Sequence, residues 1–195
     1  MPETKPHIVI ISASVREGRK SHCIALFFKK FIEEQGQGTV EIADLNEYQF
    51  PIFTERSWLQ KNPTEKVLEF AGKIKNADGV IIVTPEYNGG YPASLKNVVD
   101  LLYDEWHHKP IAIATVSNGV FGGTQVITSL QFSLWKIRAI VVPATFPCPS
   151  IEKNFTEDGS PLNKEFENKR ATGFINELFW FIEAVKKNEA LIAGK

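Results

Sequence analysis

The strongest constraint on the fold is a series of short segments rich in Ile and Val, separated by stretches with helical spacing. The clearest are residues 8–11, 80–83 and 111–116. Unbroken apolar runs of this kind are typical of strands buried on both faces, as in the interior of a parallel sheet. Weaker runs at residues 40–45 and 139–142 predict two further strands.

Between these strands, apolar residues recur three and four positions apart, as the buried face of a helix requires. The predicted helices cover approximately residues 24–32, 67–74, 92–102, 124–135 and 165–187. Pro92 suits the first turn of the third helix, where its missing N–H is not needed. Five strands alternating with helices predict an α/β fold: a flavodoxin-like, doubly wound, five-stranded parallel sheet of order 2-1-3-4-5 with helices on both faces. Residues 46–63 and 144–162 are expected to be loops.

The composition fits one domain, which we expect to span residues 1–195. A formal charge of -1 gives no general attraction to nucleic acid or to an anionic membrane surface. No apolar run is long enough for a bilayer span and no secretory leader is recognisable, so the expected location is cytoplasmic. Cys23 and Cys148 are far apart in sequence, which argues against a disulfide framework or a zinc site.

Ligands of such sheets bind beyond the carboxyl ends of the strands, near the switch point between strands one and three. The loop after strand one, residues 12–21, contains three hydroxyls and two guanidinium groups and leads into a helix. Free N–H groups and the positive end of a helix dipole favour a phosphate there. The alternative is an ordinary capped turn. Because the GxxxxGK[ST] and GxGxxG patterns are absent, a mononucleotide with one phosphate is the remaining candidate.

Two further loops are rich in glycine at the ends of their strands. Residues 84–97 include Asn-Gly-Gly, and residues 117–124 include Gly119 and a second Gly-Gly pair. Glycines adopt positive φ easily and allow the backbone to approach a flat ring. A simple turn is the competing interpretation of each.

The segments 12–19 and 85–97 resemble the paired signatures of NADPH-dependent FMN reductases, a flavodoxin-like group that includes quinone, chromate and azo-dye reductases. The resemblance covers about residues 7–143, and Ala13 stands where the family usually has glycine. It implies bound FMN, with NAD(P)H as co-substrate. The residues it implies for the FMN phosphate are Ser12, Ser14, Arg16, Arg19 and Ser21. Those it implies for the ring, largely through backbone atoms, are Pro85, Glu86, Tyr87, Asn88, Gly89, Ser117 and Gly119.

The activity expected from this resemblance is hydride transfer from NAD(P)H through FMN to a quinone or another small acceptor, with ping-pong kinetics. No residue is assigned to catalysis and no metal is expected, because the cofactor carries the chemistry. The resemblance also implies a homodimer or homotetramer. A flavodoxin-type electron carrier shares the fold, but such carriers are usually strongly acidic for docking. A non-catalytic flavin-binding module is the third possibility.

Four residues outside the loops invite sharper hypotheses. His107 and His108 are a candidate metal pair or proton donor, but solvated or interface histidines are favoured. Cys23 falls in the first predicted helix and is expected to pack or cap there and not to act as a reactive thiol. Trp180 lies off the apolar stripe of the last helix and, with residues 144–162, is a candidate for contact with another subunit.

Overall fold

A computed structural model describes residues 5–194 and contains a five-stranded parallel sheet of order β2-β1-β3-β4-β5. The strands are β1 (His7–Ser12), β2 (Thr39–Asp44), β3 (Gly79–Pro85), β4 (Pro110–Val116) and β5 (Ile140–Cys148). Both the fold class and the strand order predicted from the sequence are therefore confirmed.

Seven α-helices are found within the described part of the chain. They are α1 (His22–Glu34), α2 (Leu45–Tyr48), α3 (Glu65–Asn76), α4 (Ala93–Leu101), α5 (Gln125–Lys136), α6 (Ile151–Asn154) and α7 (Lys164–Ala193). Short 3-10 turns occur at Ser57–Leu59 and Asp104–Trp106. Pro92 precedes α4 as its N-cap. None of the helices in residues 5–194 has the length and apolar character needed to cross a bilayer.

The alternation of side chains along the inner strands divides the interior into two cores. Ile8 and Ile10 of β1 face one core, which α1 and α7 cover. Val9 and Ile11 face the other, which α3, α4 and α5 cover. Burial on both faces explains why β1, β3 and β4 are continuous apolar runs in the sequence.

The structure corrects four of the predicted segments. β5 continues through Pro143 and Pro147 to Cys148, because an edge strand tolerates residues without an N–H. The expected loop 144–162 therefore begins as strand, continues into α6 and ends in a hairpin closed by the bridge between Phe155 and Pro161. The expected loop 46–63 likewise contains most of α2 and a 3-10 turn, and α7 runs past residue 187 to Ala193.

Candidate functional site

The loops after β1, β3 and β4 meet at the carboxyl edge of the sheet and enclose a cavity of about 300 Å³ together with α6. Parallel strands place their carboxyl ends on one edge, so loops distant in sequence converge there. The predicted residues that line this cavity are Ser14, Arg16, Arg19, Ser21, Pro85, Glu86, Tyr87 and Ser117. The other wall residues are Gly18, Lys20, Val116, Asn118, Ile151 and Glu152.

Four predicted residues lie outside this lining. Ser12 is fully buried, and its Oγ lies 3.0 Å from His22 Nδ1. Asn88 and Gly89 form the tip of a turn with φ of 53° and 77°. Gly119 accepts a hydrogen bond from Ser117 Oγ at 3.1 Å through its carbonyl oxygen. These contacts make the four residues part of the loop architecture around the cavity.

The first loop, residues 13–21, presents several unused donors to the cavity. Within residues 5–194, no acceptor is found for the backbone N–H groups of Gly18, Lys20 and Ser21. Ser21 Oγ is buried and has no partner among the described residues, although Ser21 is the N-cap of α1. The first turn of α1 contains no acidic side chain. The positive end of the helix dipole is therefore free to act on an anion.

The charges around this loop are unevenly compensated. Arg16 is exposed at the cavity wall. Arg19 is only 16% exposed and donates through both terminal nitrogens to the Asp44 carboxylate. Lys20 Nζ lies 3.0 Å from Glu157 Oε1. Arg16 is thus the cation at this loop whose charge is most available to a ligand.

The second loop, residues 85–91, contacts both of its neighbours. The Tyr87 hydroxyl lies 2.7 Å from Ser14 Oγ and joins the second loop to the first. The Glu86 carboxylate accepts a hydrogen bond from the Gln125 N–H at 3.1 Å, at the start of α5. Because these two side chains are engaged with protein groups, the second loop offers mainly its backbone to a ligand in the cavity.

Two functional candidates were missed by the sequence analysis, Asp44 and His22. Burial would raise the pKa of Asp44, but the hydrogen bonds from Arg19 and from the Asn46 N–H hold it below its usual value. Burial lowers the pKa of His22 even though Asp44 lies nearby. Asp44 is the last residue of β2 and lies opposite Ser12, a pairing that the sequence did not show.

The candidate residues outside the three loops do not line this cavity. Burial raises the pKa of the Cys23 thiol to about 11, so it packs as predicted. His107 stacks edge-on against Tyr103, with ring centroids 4.7 Å apart, before the amino end of β4. Trp180 is exposed on α7. Among residues 5–194, no three His, Cys, Asp or Glu side chains are grouped as metal ligands would be.

This donor set fits a phosphate monoester joined to a planar ring. Hydroxyls, a guanidinium and free N–H groups provide several bonds to phosphate oxygens, and the unsatisfied Ser21 Oγ provides the most specific sign. Glycine-rich loops follow β3 and β4, and glycine allows a backbone to approach a planar ring closely. The fold is that of a flavodoxin-like protein, and this cavity is its candidate mononucleotide site.

Comparison with known proteins identifies the group. Residues 6–153 match the family model for NADPH-dependent FMN reductase. The chain belongs to this family. It is similar to an NAD(P)H-dependent FMN reductase of Schizosaccharomyces pombe, with 32% identity over 183 residues covering 89% of this chain and 90% of that protein. It is also similar to a quinone reductase of Escherichia coli K12, with 31% identity over 144 residues covering 71% and 74%.

A solved structure supports the fold independently. The flavoenzyme NAD(P)H:(acceptor) oxidoreductase FerB of Paracoccus denitrificans superposes with a TM-score of 0.73 over 91% of this chain and 98% of that chain, at 22% identity. The chain is therefore an oxidoreductase of the FMN reductase and quinone reductase family, which uses FMN and NAD(P)H.

Proposed function

We propose that this protein transfers two electrons from NAD(P)H to a quinone or a similar small acceptor through FMN bound in the 300 Å³ cavity. When bound, FMN supplies the hydride chemistry, and the protein supplies binding, orientation and electrostatics. The observation that carries the proposal is the buried, unpartnered Ser21 Oγ beside free N–H groups at the start of α1.

In this proposal, the first loop holds the phosphate. Ser14, Arg16 and Ser21 contact it directly, and the positive end of the α1 dipole favours its charge. Ser12 and Arg19, which the resemblance also implies, support the loop from behind, because Ser12 contacts His22 and Arg19 is paired with the buried Asp44. The assignment distinguishes phosphate contacts from residues that shape the loop.

The ring is proposed to lie against the second loop and the third loop, which follows β4 and spans residues 117–124. Pro85, Glu86 and Tyr87 form one wall, and Ser117 forms part of another. Asn88, Gly89 and Gly119 keep these loops in shape through the turn and the carbonyl contact described above. N–H donors near the pyrimidine edge of the ring would stabilise negative charge that develops there.

A bound ring with one open face would receive both substrates at that face, which would give ping-pong kinetics. Val15 on the first loop and Phe121 on the loop after β4 are exposed apolar side chains. NAD(P)H and the acceptor would occupy the same open face in turn, since residues 5–194 contain one sheet and no separate dinucleotide domain. Initial rates at several fixed quinone concentrations should give parallel double-reciprocal lines against NADPH. Intersecting lines would reject the shared position.

The same assay separates this function from that of an electron carrier or a flavin-binding module. An enzyme oxidises NADPH continuously when a small quinone is added without another reductase. A carrier needs a partner reductase, and a binding module does not turn over. The net charge of -1 disfavours electrostatic docking of the carrier kind.

We also propose that the protein acts as a homodimer or homotetramer in the cytoplasm. Exposed apolar side chains near the site, including Val120 and Phe121, favour coverage by another surface. Both cysteines are free and buried, which suits a reducing compartment. Sedimentation equilibrium of the FMN-loaded protein tests the assembly, and a monomer at micromolar concentration would reject it.

A further inference from the structure

The buried carboxylate of Asp44 lies directly behind the first loop. Asp44 is 4% exposed and ends β2, in register with Ser12 of β1. Its two oxygens accept hydrogen bonds from both terminal nitrogens of Arg19. One of them also accepts from the Asn46 N–H at 3.0 Å. A buried carboxylate with this many charged and polar donors is fixed in position.

Two side chains, Arg19 and His22, connect the Asp44 carboxylate to the start of the first loop. Through Arg19, Nη1 of which also donates to the Ser14 carbonyl at 2.8 Å, the carboxylate is linked to the backbone at Ser14. Through His22, whose Nδ1 lies 3.5 Å from Asp44 Oδ2 and 3.0 Å from Ser12 Oγ, it is linked to the end of β1. The start of the loop, at Ser12 and Ser14, is therefore connected through Arg19 and His22 at its other end to one carboxylate.

We propose that Asp44 is a positioning residue for the phosphate loop, and that Arg19 acts with it by holding the loop in shape and not as the countercharge of the phosphate. This inference rests on the proposed function, because it assumes that the loop binds the FMN phosphate. It adds a residue from β2 to a site otherwise built by α6 and by the loops after β1, β3 and β4.

The geometry separates the roles of the two arginines. The Arg19 charge is compensated by the Asp44 carboxylate at close range, so little of its field reaches the cavity. Arg16 is exposed at the cavity wall and has no ion pair within residues 5–194. The fork of Arg19 is needed to reach two carboxylate oxygens and the Ser14 carbonyl together, which a lysine ammonium cannot reproduce.

The test compares Arg19→Lys with Arg19→Ala. Arg138→Lys, in the turn between α5 and β5, serves as the control. Dissociation constants for FMN and for riboflavin, which lacks the phosphate, are measured by flavin fluorescence quenching. We expect Arg19→Lys to weaken FMN binding by about tenfold or more, close to the effect of Arg19→Ala, because both lose the fork. Riboflavin binding should change much less, and Arg138→Lys should change neither constant.

Asp44→Asn and the double variant Arg19→Ala/Asp44→Asn complete a mutant cycle. We expect the single losses in FMN affinity to overlap, so that the double variant is little worse than either single variant. Circular dichroism and a thermal melt confirm that each variant is folded. Preserved FMN affinity in Arg19→Lys, or tighter FMN binding in Asp44→Asn, would overturn the proposal, since Arg19 would then act by charge on the phosphate.

Failure of the proposed function gives a different pattern. If the unmodified protein binds riboflavin as tightly as FMN, the first loop does not read a phosphate and the function itself is wrong. If the unmodified protein prefers FMN but Arg19→Lys keeps that preference, only the role of Asp44 and Arg19 is wrong. The two outcomes are distinguished by the same titrations.

Discussion

Replacing Gly159 with alanine should loosen the hairpin of residues 155–161 from α1. Gly159 is buried with φ of +82°, and a Cβ there would lie 2.5 Å from the Cys23 carbonyl oxygen and 2.7 Å from the Phe27 nitrogen. Both neighbours are backbone atoms of a packed helix, so neither can move without disturbing α1. The hairpin is also tied to α1 by Lys30 Nζ, which donates to the Asp158 carboxylate at 2.7 Å.

The expected loss combines two effects. A left-handed backbone costs an L-residue about 1–2 kcal/mol, and forcing an extra carbon into a packed contact costs about 1–3 kcal/mol. The free energy of unfolding should therefore fall by about 2–5 kcal/mol. Gly173→Ala is the matched control: Gly173 lies in α7 with no atom within 4 Å of its added Cβ. That substitution should stabilise the helix by about 0.5–1 kcal/mol.

Urea unfolding followed by circular dichroism measures both free energies. The reasoning is refuted if Gly159→Ala is as stable as the unmodified protein while Gly173→Ala behaves as expected. Equal destabilisation by the two variants would also refute it, because the effect would then belong to glycine replacement in general and not to the contact with α1.

Three further predictions concern single side chains. Arg16→Ala should weaken FMN binding by about 1.5–3 kcal/mol and flatten its dependence on salt, since an exposed charge facing the phosphate is lost. Fluorescence titration at two ionic strengths measures this, and FMN dissociation constants equal to those of the unmodified protein at both would contradict it. The pKa of Asp44 is lowered in the folded state, so its contribution to stability is present above its unfolded pKa of about 3.9 and is lost as the pH falls through the folded pKa. The difference in free energy of unfolding between the unmodified protein and Asp44→Asn should therefore shrink in acid. A difference that grew in acid would contradict the lowered pKa of Asp44. The Cys23 thiol, with a pKa raised to about 11, should react with a thiol reagent at neutral pH far more slowly than glutathione does, and equal rates would show that it is accessible.

The inner part of the fold was predictable because its strands are buried on both faces. The unbroken apolar run Ile8–Ile11 indicates a strand buried on both faces. Right-handed crossover connections between parallel strands then restrict the strand order. The edge strand was harder to delimit, because Pro143 and Pro147 are typical of loops and are tolerated in β5 only at the edge of the sheet.

The site was predictable to the extent that it is local. The donors in residues 12–21 and the glycines of the other loops could be read from the sequence, since position at a strand end is a local property. The pairing of Arg19 with Asp44 could not be read in this way. It depends on the side-by-side register of β1 and β2, which brings residues 25 positions apart into contact.

The central claim is that the cavity holds FMN and that NADPH reduces it there. The most direct measurement is the visible absorption spectrum of the FMN-loaded protein, recorded without oxygen before and after addition of NADPH. We expect the visible absorption band of oxidised flavin to be present after gel filtration. It should disappear when NADPH is added and return when a quinone is added. Protein that retains no flavin, or whose flavin band is unchanged by both NADPH and NADH, would contradict it.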